Sequence, residues 1–179
     1  LRDVYSGNLI VLTEEQQQDN LQFGDNAVAV YRYQPMDIIY REVLEHSDLR
    51  PKGRLDTIDI IGVYSPVNVL PKTAFSLNVA KVLSERYKVL YINFEEFSGL
   101  DEILCARDDV TLSDALYYFR QGKQAAKDKI LKTIQTVEGV DYIPPVMCAE
   151  DISYIEPEEM AAFVECAGKG GHYETVVLD

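Results

Sequence analysis

The chain has 179 residues, of which 47% are hydrophobic, and its formal net charge at pH 7 is −13. This length suits one domain or two small ones with a real core, and the acidic charge argues against nucleic acid as a partner because it would repel a phosphate backbone. No apolar run is long enough to span a bilayer and no signal peptide opens the sequence, so we expect a cytoplasmic protein without a membrane segment.

The first fifty residues predict part of an α/β domain. Residues 8–13 and 27–31 are short apolar runs typical of buried parallel strands, and the polar stretch 14–26 between them predicts a loop or a poor helix. A helix opens at Pro35 and places five apolar side chains on one face: Met36, Ile39, Tyr40, Val43 and Leu44. Two strands and one helix do not make a stable domain alone, so we expect residues 1–50 to be the second half of one.

Residues 51–56 predict a linker, and residues 57–179 predict a second unit in which strands alternate with helices. That alternation is typical of a parallel, doubly wound sheet. Strands are predicted at 57–64, 88–94, 140–143 and 174–179. Helices are predicted from Lys72, from a capping box of Thr111 and Asp114, over 124–137, and from Pro157 to a stop at Gly168, Gly170 and Gly171.

The ends of the chain carry a further expectation. It begins at Leu1 rather than at Met, and it ends at Asp179 directly after an apolar strand pattern. A strand with nothing after it usually belongs to a larger sheet. We therefore expect the sequence to be a fragment, with material missing on both sides.

Cysteine and histidine usage argues against a zinc site. Three cysteines (Cys105, Cys148 and Cys166) form an odd set without a C-x-x-C spacing, which is typical of reduced thiols in a cytosolic protein. The two histidines, His46 and His172, have no suitable cysteine pattern around them.

The segment Pro66-Val-Asn-Val-Leu-Pro71-Lys72-Thr73 lies between a predicted strand and a predicted helix. It keeps the spacing, the lysine and the threonine of the P-loop pattern G-x-x-x-x-G-K-[ST], whose backbone N–H groups and lysine cradle phosphates. Both glycines are replaced by proline, which has no N–H to donate. The position is that of a P-loop, although the loop is poorly built to be one.

Two interpretations of this segment stay open. In the functional one, Lys72 binds phosphates, while Thr73 and Asp179 hold Mg²⁺, the aspartate through water. In the other, Lys72 is a solvated residue of the first helical turn, Thr73 a local cap and Asp179 a turn residue. The predicted nucleotide-binding residues are Asn68, Val69, Leu70, Pro71, Lys72, Thr73 and Ala74, with ATP and Mg²⁺ as ligands and no residue assigned to catalysis.

Two glutamates, Glu95 and Glu96, follow the predicted strand 88–94. Ligands collect at the carboxyl ends of parallel strands. Glu95 and Glu96 are therefore candidates for positioning a metal or water. The other explanation is that they are simply acidic residues at a solvated strand end.

The second unit resembles the MinD/ParA superfamily of deviant P-loop ATPases, and within it the TadZ/CpaE-like pilus-assembly proteins. The matching runs are Ile60 to Pro66, Pro71 to Ala80, Lys88 to Glu95, Thr111 to Leu116, and Tyr173 to Asp179, the last similar to the Walker B strand. Such proteins carry an N-terminal receiver-like domain. Residues 1–50 look like its last two βα units, with Thr13 and Arg32 near its strand-end threonine and lysine positions.

The resemblance implies an α/β fold in which a partial receiver-like (flavodoxin-like) unit precedes a parallel, doubly wound P-loop NTPase-like domain, both incomplete. It also implies a cytoplasmic, nucleotide-responsive localisation or assembly factor that forms a homodimer and binds protein partners of a pilus or secretion apparatus. The sequence departs from the family at Val67, where the signature lysine that reaches across the dimer would stand. Asn93-Phe94-Glu95 replaces the family's second-strand aspartate pattern.

These departures predict weak or no hydrolysis. Three alternatives remain: an active ATPase cycling between dimer and monomer, a response-regulator-like signalling protein, and a scaffold that binds no nucleotide.

Overall fold

The computed structural model describes residues 8–14, 27–46, 58–65, 72–96, 98–100, 104, 110–122 and 124–179, the side chains of 124–126 excepted. The chain divides into two compact units, Leu1–Pro51 and Lys52–Asp179. Several predicted features fall outside the described residues: most of the stretch 14–26, the linker 51–56, the loop from Pro66 to Pro71, and Cys105. Among the described helices, none is long and apolar enough to cross a membrane.

The first unit contains a parallel pair of strands and a helix. Strand β1 (Leu9–Thr13) pairs in parallel with strand β2 (Ala27–Tyr31). Helix α1 (Met36–His46) packs on β2 and buries Ile39 and Val43, two members of its predicted apolar face. Both predicted strands and the predicted helix are confirmed.

The second unit is built on a sheet of five described strands. They are β3 (Asp59–Gly62), β4 (Val89–Ile92), β5 (Gln135–Val137), β6 (Val140–Ile143) and β7 (Thr175–Leu178). Their order in the sheet is β3–β7–β4–β6–β5. The first four are parallel neighbours, whereas β5 runs antiparallel to β6. Because β3, β7 and β4 are parallel and adjacent, their carboxyl ends lie side by side at one edge of the sheet.

Helices cover both faces of this sheet. They are α2 (Lys72–Ser84), α3 (Leu112–Arg120), α4 (Gln124–Thr133), α5 (Glu150–Ser153) and α6 (Pro157–Gly170). Leu90 and Ile92 of β4 share a buried core with Phe163 of α6. Tyr91 lies between them and points the other way, where its hydroxyl is 3.2 Å from Ser76 Oγ of α2. The doubly wound α/β architecture is therefore confirmed.

Side chains fix both ends of α3. Asp114 Oδ2 accepts the backbone N–H of Thr111 at 2.9 Å, so the predicted capping box is confirmed. At the other end, Arg120 Nε donates to Glu159 Oε1 of α6 at 2.6 Å. This ion pair raises the pKa of Arg120 and lowers that of Glu159, and it ties α3 to α6.

The helix predicted over 124–137 is wrong in its last part. It ends at Thr133, and Gln135–Val137 form the antiparallel strand β5. Glu138 and Gly139 both have positive φ, 47° and 86°. Two such residues form the type of turn that closes a tight hairpin, here between β5 and β6. The prediction followed the charged helical pattern and missed the turn, so the sheet acquires one antiparallel edge strand.

The helix that begins at Pro157 is confirmed, but Gly168 does not end it, since α6 continues to Gly170. A Cβ on Gly168 would lie 2.5 Å from Ile58 Cδ1 and 3.2 Å from Val176 Cγ2. Glycine at this position lets the helix approach the sheet closely. Its role is packing rather than termination.

Replacing Gly139 by alanine tests the hairpin turn. A side chain at φ 86° strains the left-handed backbone, so Gly139→Ala should lower the free energy of unfolding by about 1 kcal/mol. Urea unfolding followed by circular dichroism measures it. The matched control is Glu138→Asn, since asparagine tolerates the left-handed region; it should stay within about 0.5 kcal/mol of the wild type. Equal stability of Gly139→Ala and wild type would contradict the assigned turn.

Candidate functional site

Three chain segments meet at the carboxyl edge of the sheet. Helix α2 begins at Lys72, β4 runs on into Phe94, and β7 runs on into Asp179. The Asp179 backbone N–H donates to the Ile92 carbonyl at 3.0 Å, and the Phe94 N–H donates to the Asp179 carbonyl at 2.8 Å. The parallel pairing of β4 and β7 therefore continues past both strands and places their side chains beside the start of α2.

The ammonium group of Lys72 lies between two carboxylates. Its Nζ is 2.7 Å from Asp179 Oδ1 and 3.0 Å from Glu95 Oε1. The Lys72 side chain is only 13% exposed and that of Asp179 is fully buried, so solvent screens the pair weakly. Burial alone lowers the pKa of Lys72, but the hydrogen bonds and charges of Asp179 and Glu95 outweigh it and raise the pKa overall. The interpretation of Lys72 as a solvated residue does not fit this geometry.

Glu95 also accepts a hydrogen bond from Thr73. Thr73 Oγ1 donates to Glu95 Oε2 at 3.0 Å, so a single carboxylate bridges the two residues that keep the P-loop pattern. The Glu95 backbone N–H donates to Asn93 Oδ1 at 2.8 Å, which holds the turn after β4. Glu96 is not part of this group, because its Oε1 accepts from Ser153 Oγ at 2.9 Å. Of the two candidate glutamates, only the first contacts the site.

A buried polar network holds Asp179 through the carboxylate oxygen that does not contact Lys72. Its Oδ2 accepts the Tyr91 hydroxyl at 2.7 Å and the Asn93 side-chain amide at 3.0 Å. The Tyr91 hydroxyl also contacts Ser76 Oγ, and Tyr91, Asn93 and Ser76 are all fully buried. Burial, then the negative charge of Asp179, raises the pKa of Tyr91, so the phenol stays a neutral donor.

Sequence reasoning did not assign a role to Tyr91 or Ser76. Tyr91 is part of an apolar strand and Ser76 part of a helix, so neither interrupts the pattern of its element. The one available signal is chemical: a tyrosine in a strand buried on both faces needs a hydrogen-bond partner for its hydroxyl. Asp179, at the end of the neighbouring strand, is that partner.

The oxygen atoms of Thr73, Glu95 and Asp179 are ligands of the kind that Mg²⁺ prefers. Each carboxylate oxygen already has a partner, since Glu95 binds Lys72 and Thr73 while Asp179 binds Lys72 and Tyr91. In the part of the chain that the structure describes, no group of three or more His, Cys, Asp or Glu could hold a metal. The residues therefore fit Mg²⁺ only together with a ligand that releases Thr73 from Glu95.

The other predicted nucleotide contacts divide into two groups. Ala74 lies in the first turn of α2, next to Thr73. The four loop positions lie outside the described residues and stay predictions: Asn68, Val69, Leu70 and Pro71.

No protein-family model and no curated protein matches the sequence. Among solved structures, a ParA family ATPase from Chlorobium tepidum TLS matches with 22% identity and a TM-score of 0.54, over 69% of this chain and 51% of its own. The septum site-determining protein MinD complexed with Mg-ADP from Pyrococcus horikoshii OT3 matches with 22% identity and a TM-score of 0.52, over 69% and 49%. A plasmid partition protein from Borrelia burgdorferi matches with 18% identity and a TM-score of 0.51, over 69% and 56%.

The fold is that of the ParA/MinD P-loop ATPases. At these identities the similarity establishes the fold and not the activity. This chain spans about half the length of the structures it matches.

Replacing Asp179 by asparagine tests the buried network. Asp179→Asn leaves Lys72 with one carboxylate fewer, and the new NH2 group must face either the Lys72 ammonium or the Asn93 amide, so we expect the unfolding free energy to fall by about 3 kcal/mol. Tyr91→Phe removes one hydrogen bond to a charged group and should cost about 2 kcal/mol.

The matched control is Asp151→Asn, at an exposed aspartate of α5, which should change stability by less than about 0.5 kcal/mol. Urea unfolding of the three variants gives the comparison. Asp179→Asn as stable as Asp151→Asn would show that the buried carboxylate is not the counter-ion described here.

Proposed function

We propose that this chain is the nucleotide-responsive part of a cytoplasmic ParA/MinD-like localisation or assembly factor, of the TadZ/CpaE type, that serves a pilus or secretion apparatus. In this proposal it binds ATP with Mg²⁺, forms a homodimer, and hydrolyses the nucleotide weakly or not at all. The observation that carries the proposal is the placement of Lys72. This charged, largely buried lysine opens α2 and is held by Asp179 and Glu95 from the ends of two neighbouring strands.

The start of α2 supplies what an anion needs. Backbone N–H groups in the first turn of a helix lack helical partners, and the helix dipole favours negative charge there. Lys72 adds a full positive charge at the first residue, and Thr73 adds a hydroxyl donor. Asp179 keeps the ammonium in place from its buried side. A phosphate group would therefore meet an ordered set of donors at this point.

The charge of the site favours a nucleotide accompanied by a cation. Lys72, Asp179 and Glu95 together contribute a net charge of −1, which opposes a triphosphate on its own. In the proposal, Thr73 Oγ1 would hold Mg²⁺ directly and Asp179 would hold it through water, as the sequence predicts. Bound Mg²⁺ neutralises charge on the phosphate oxygens.

The proposal of weak hydrolysis rests on the departures from the family pattern and on the burial of Asp179. Phosphoryl transfer to water needs a residue that orients or deprotonates the nucleophile. Asn93-Phe94-Glu95 replaces the family's second-strand aspartate pattern, and Asp179 is buried and binds Lys72, Tyr91 and Asn93. Val67, at the position of the family's signature lysine, supplies no charge in trans. The nucleotide would then act as a conformational ligand rather than as a fuel.

The proposed positioning role rests on similarity to solved structures, and the proposed receiver-like character of the first unit rests on the resemblance of its sequence. Two of the matched structures are named as a septum site-determining protein and a plasmid partition protein, and these names support the proposed positioning role. In the first unit, Thr13 ends β1 and Arg32 follows β2, and the proposal assigns them to the strand-end threonine and lysine positions of a receiver-like half. Arg32 Nη1 binds Glu14 Oε1 at 2.7 Å and lies over the Tyr33 ring.

Removing the Lys72 ammonium tests nucleotide binding. Lys72→Ala should weaken binding of Mg-ATP by about tenfold or more, because a charge-assisted contact to phosphate is lost. Isothermal titration calorimetry measures the affinity, and phosphate release measures turnover. The matched control is Lys81→Ala, at an exposed lysine of the same helix that pairs with Glu138, and it should bind like the wild type.

The outcomes separate the alternatives. Equal affinity in Lys72→Ala and Lys81→Ala would overturn the proposed site. Rapid turnover in the wild type that disappears in Lys72→Ala would favour the active ATPase, and no binding by the wild type would favour the scaffold.

Removing Mg²⁺ tests the charge argument. With EDTA present, the affinity for ATP should fall by about tenfold or more, since the net charge of −1 then faces an unneutralised triphosphate. Calorimetry with and without EDTA at one ionic strength makes the comparison. ATP that binds equally well in both conditions would contradict the assigned role of the cation.

A further inference from the structure

Glu95 makes, within the protein, the contacts that a bound phosphate would make. Its Oε1 is 3.0 Å from Lys72 Nζ and its Oε2 accepts from Thr73 Oγ1 at 3.0 Å. An ammonium and a hydroxyl at the start of a helix are the donors expected for an anion with more than one oxygen. The carboxylate satisfies both donors at once.

The position of Glu95 is built into the turn after β4. Its backbone N–H donates to Asn93 Oδ1 at 2.8 Å, and the Asn93 amide donates to Asp179 Oδ2 at 3.0 Å. Asn93 is fully buried, so the turn is anchored in the core. The neighbouring Glu96 lies in the same turn but contacts Ser153 instead. Contact with Lys72 is therefore a property of one glutamate and not of acidic residues at this edge in general.

The two carboxylates on Lys72 differ in how readily they can leave. The Asp179 side chain is fully buried and accepts two further hydrogen bonds, from Tyr91 and Asn93. The Glu95 side chain is 26% exposed, and among the described residues its two oxygens bind Lys72 and Thr73, which an incoming anion would bind. Moving Glu95 into solvent restores its hydration, whereas moving Asp179 would leave a buried charge.

We propose that Glu95 is an internal competitor for the phosphate site, occupying Lys72 and Thr73 until a polyphosphate displaces it. The inference rests on the proposed function and adds a regulatory element to it. A ligand must displace Glu95 before it binds, so the measured affinity is lower than the donors alone would give. When no nucleotide is present, Glu95 stays paired with Lys72 and so balances its positive charge.

Neutralising Glu95 tests the competition. Glu95→Gln keeps the shape and removes the charge, and Glu95→Ala removes the side chain, so a repacking defect in one variant does not affect the conclusion from the other. Both should bind Mg-ATP and magnesium tripolyphosphate about tenfold more tightly than the wild type, because one charged competitor is gone. Glu96→Gln is the matched control and should bind like the wild type.

The results also distinguish this inference from the proposed function. If the wild type binds Mg-ATP and neither Glu95 variant binds it more tightly, the inference is wrong and the proposed function stands. If the wild type binds no ATP but the Glu95 variants bind tripolyphosphate, the competition is supported and nucleotide control of the native protein is not. Weaker binding in the Glu95 variants, or no binding of either ligand, would overturn the inference.

Discussion

Lys72 and Asp179 come from the first residue of α2 and the end of β7, and the ion pair between them links these two elements. The pair is sheltered from solvent, and the lysine remains charged because two carboxylates outweigh the effect of its burial on the pKa. Tyr91 and Asn93 complete the hydrogen bonds of Asp179 from inside the sheet. An unmatched charge at this depth would be costly, so each member of the network depends on the others.

The sheet topology explains why these residues meet. Because β3, β7 and β4 are adjacent and parallel, Val63 after β3 and the residues after β4 and β7 all lie at the same edge. Such an edge is where open α/β sheets bind ligands. The network therefore has two layers: a buried layer around Asp179, and a more exposed outer layer around Glu95, which is the one that the proposed ligand would rearrange.

Four of the five described strands and most described helices of the second unit could be predicted because apolar periodicity and cap residues mark them, as with Thr111 and Asp114. The pairing of Lys72 with Asp179 could be expected only from the P-loop spacing and the strand-end position. The contact of Glu95 with Lys72 could not be predicted, because it depends on the turn that Asn93 holds. The hairpin after α4 was missed since a charged helical pattern runs into it, and only Gly139 marked the turn.

The most direct measurement is a crystal structure of the protein with a non-hydrolysable ATP analogue and Mg²⁺, compared with one grown without ligand. In both structures Lys72 should remain paired with Asp179. In the complex its Nζ should also lie about 3 Å from a phosphate oxygen, with Glu95 moved away from Lys72 and Thr73. A nucleotide bound elsewhere, with Lys72 still paired to both Glu95 and Asp179, would contradict the account.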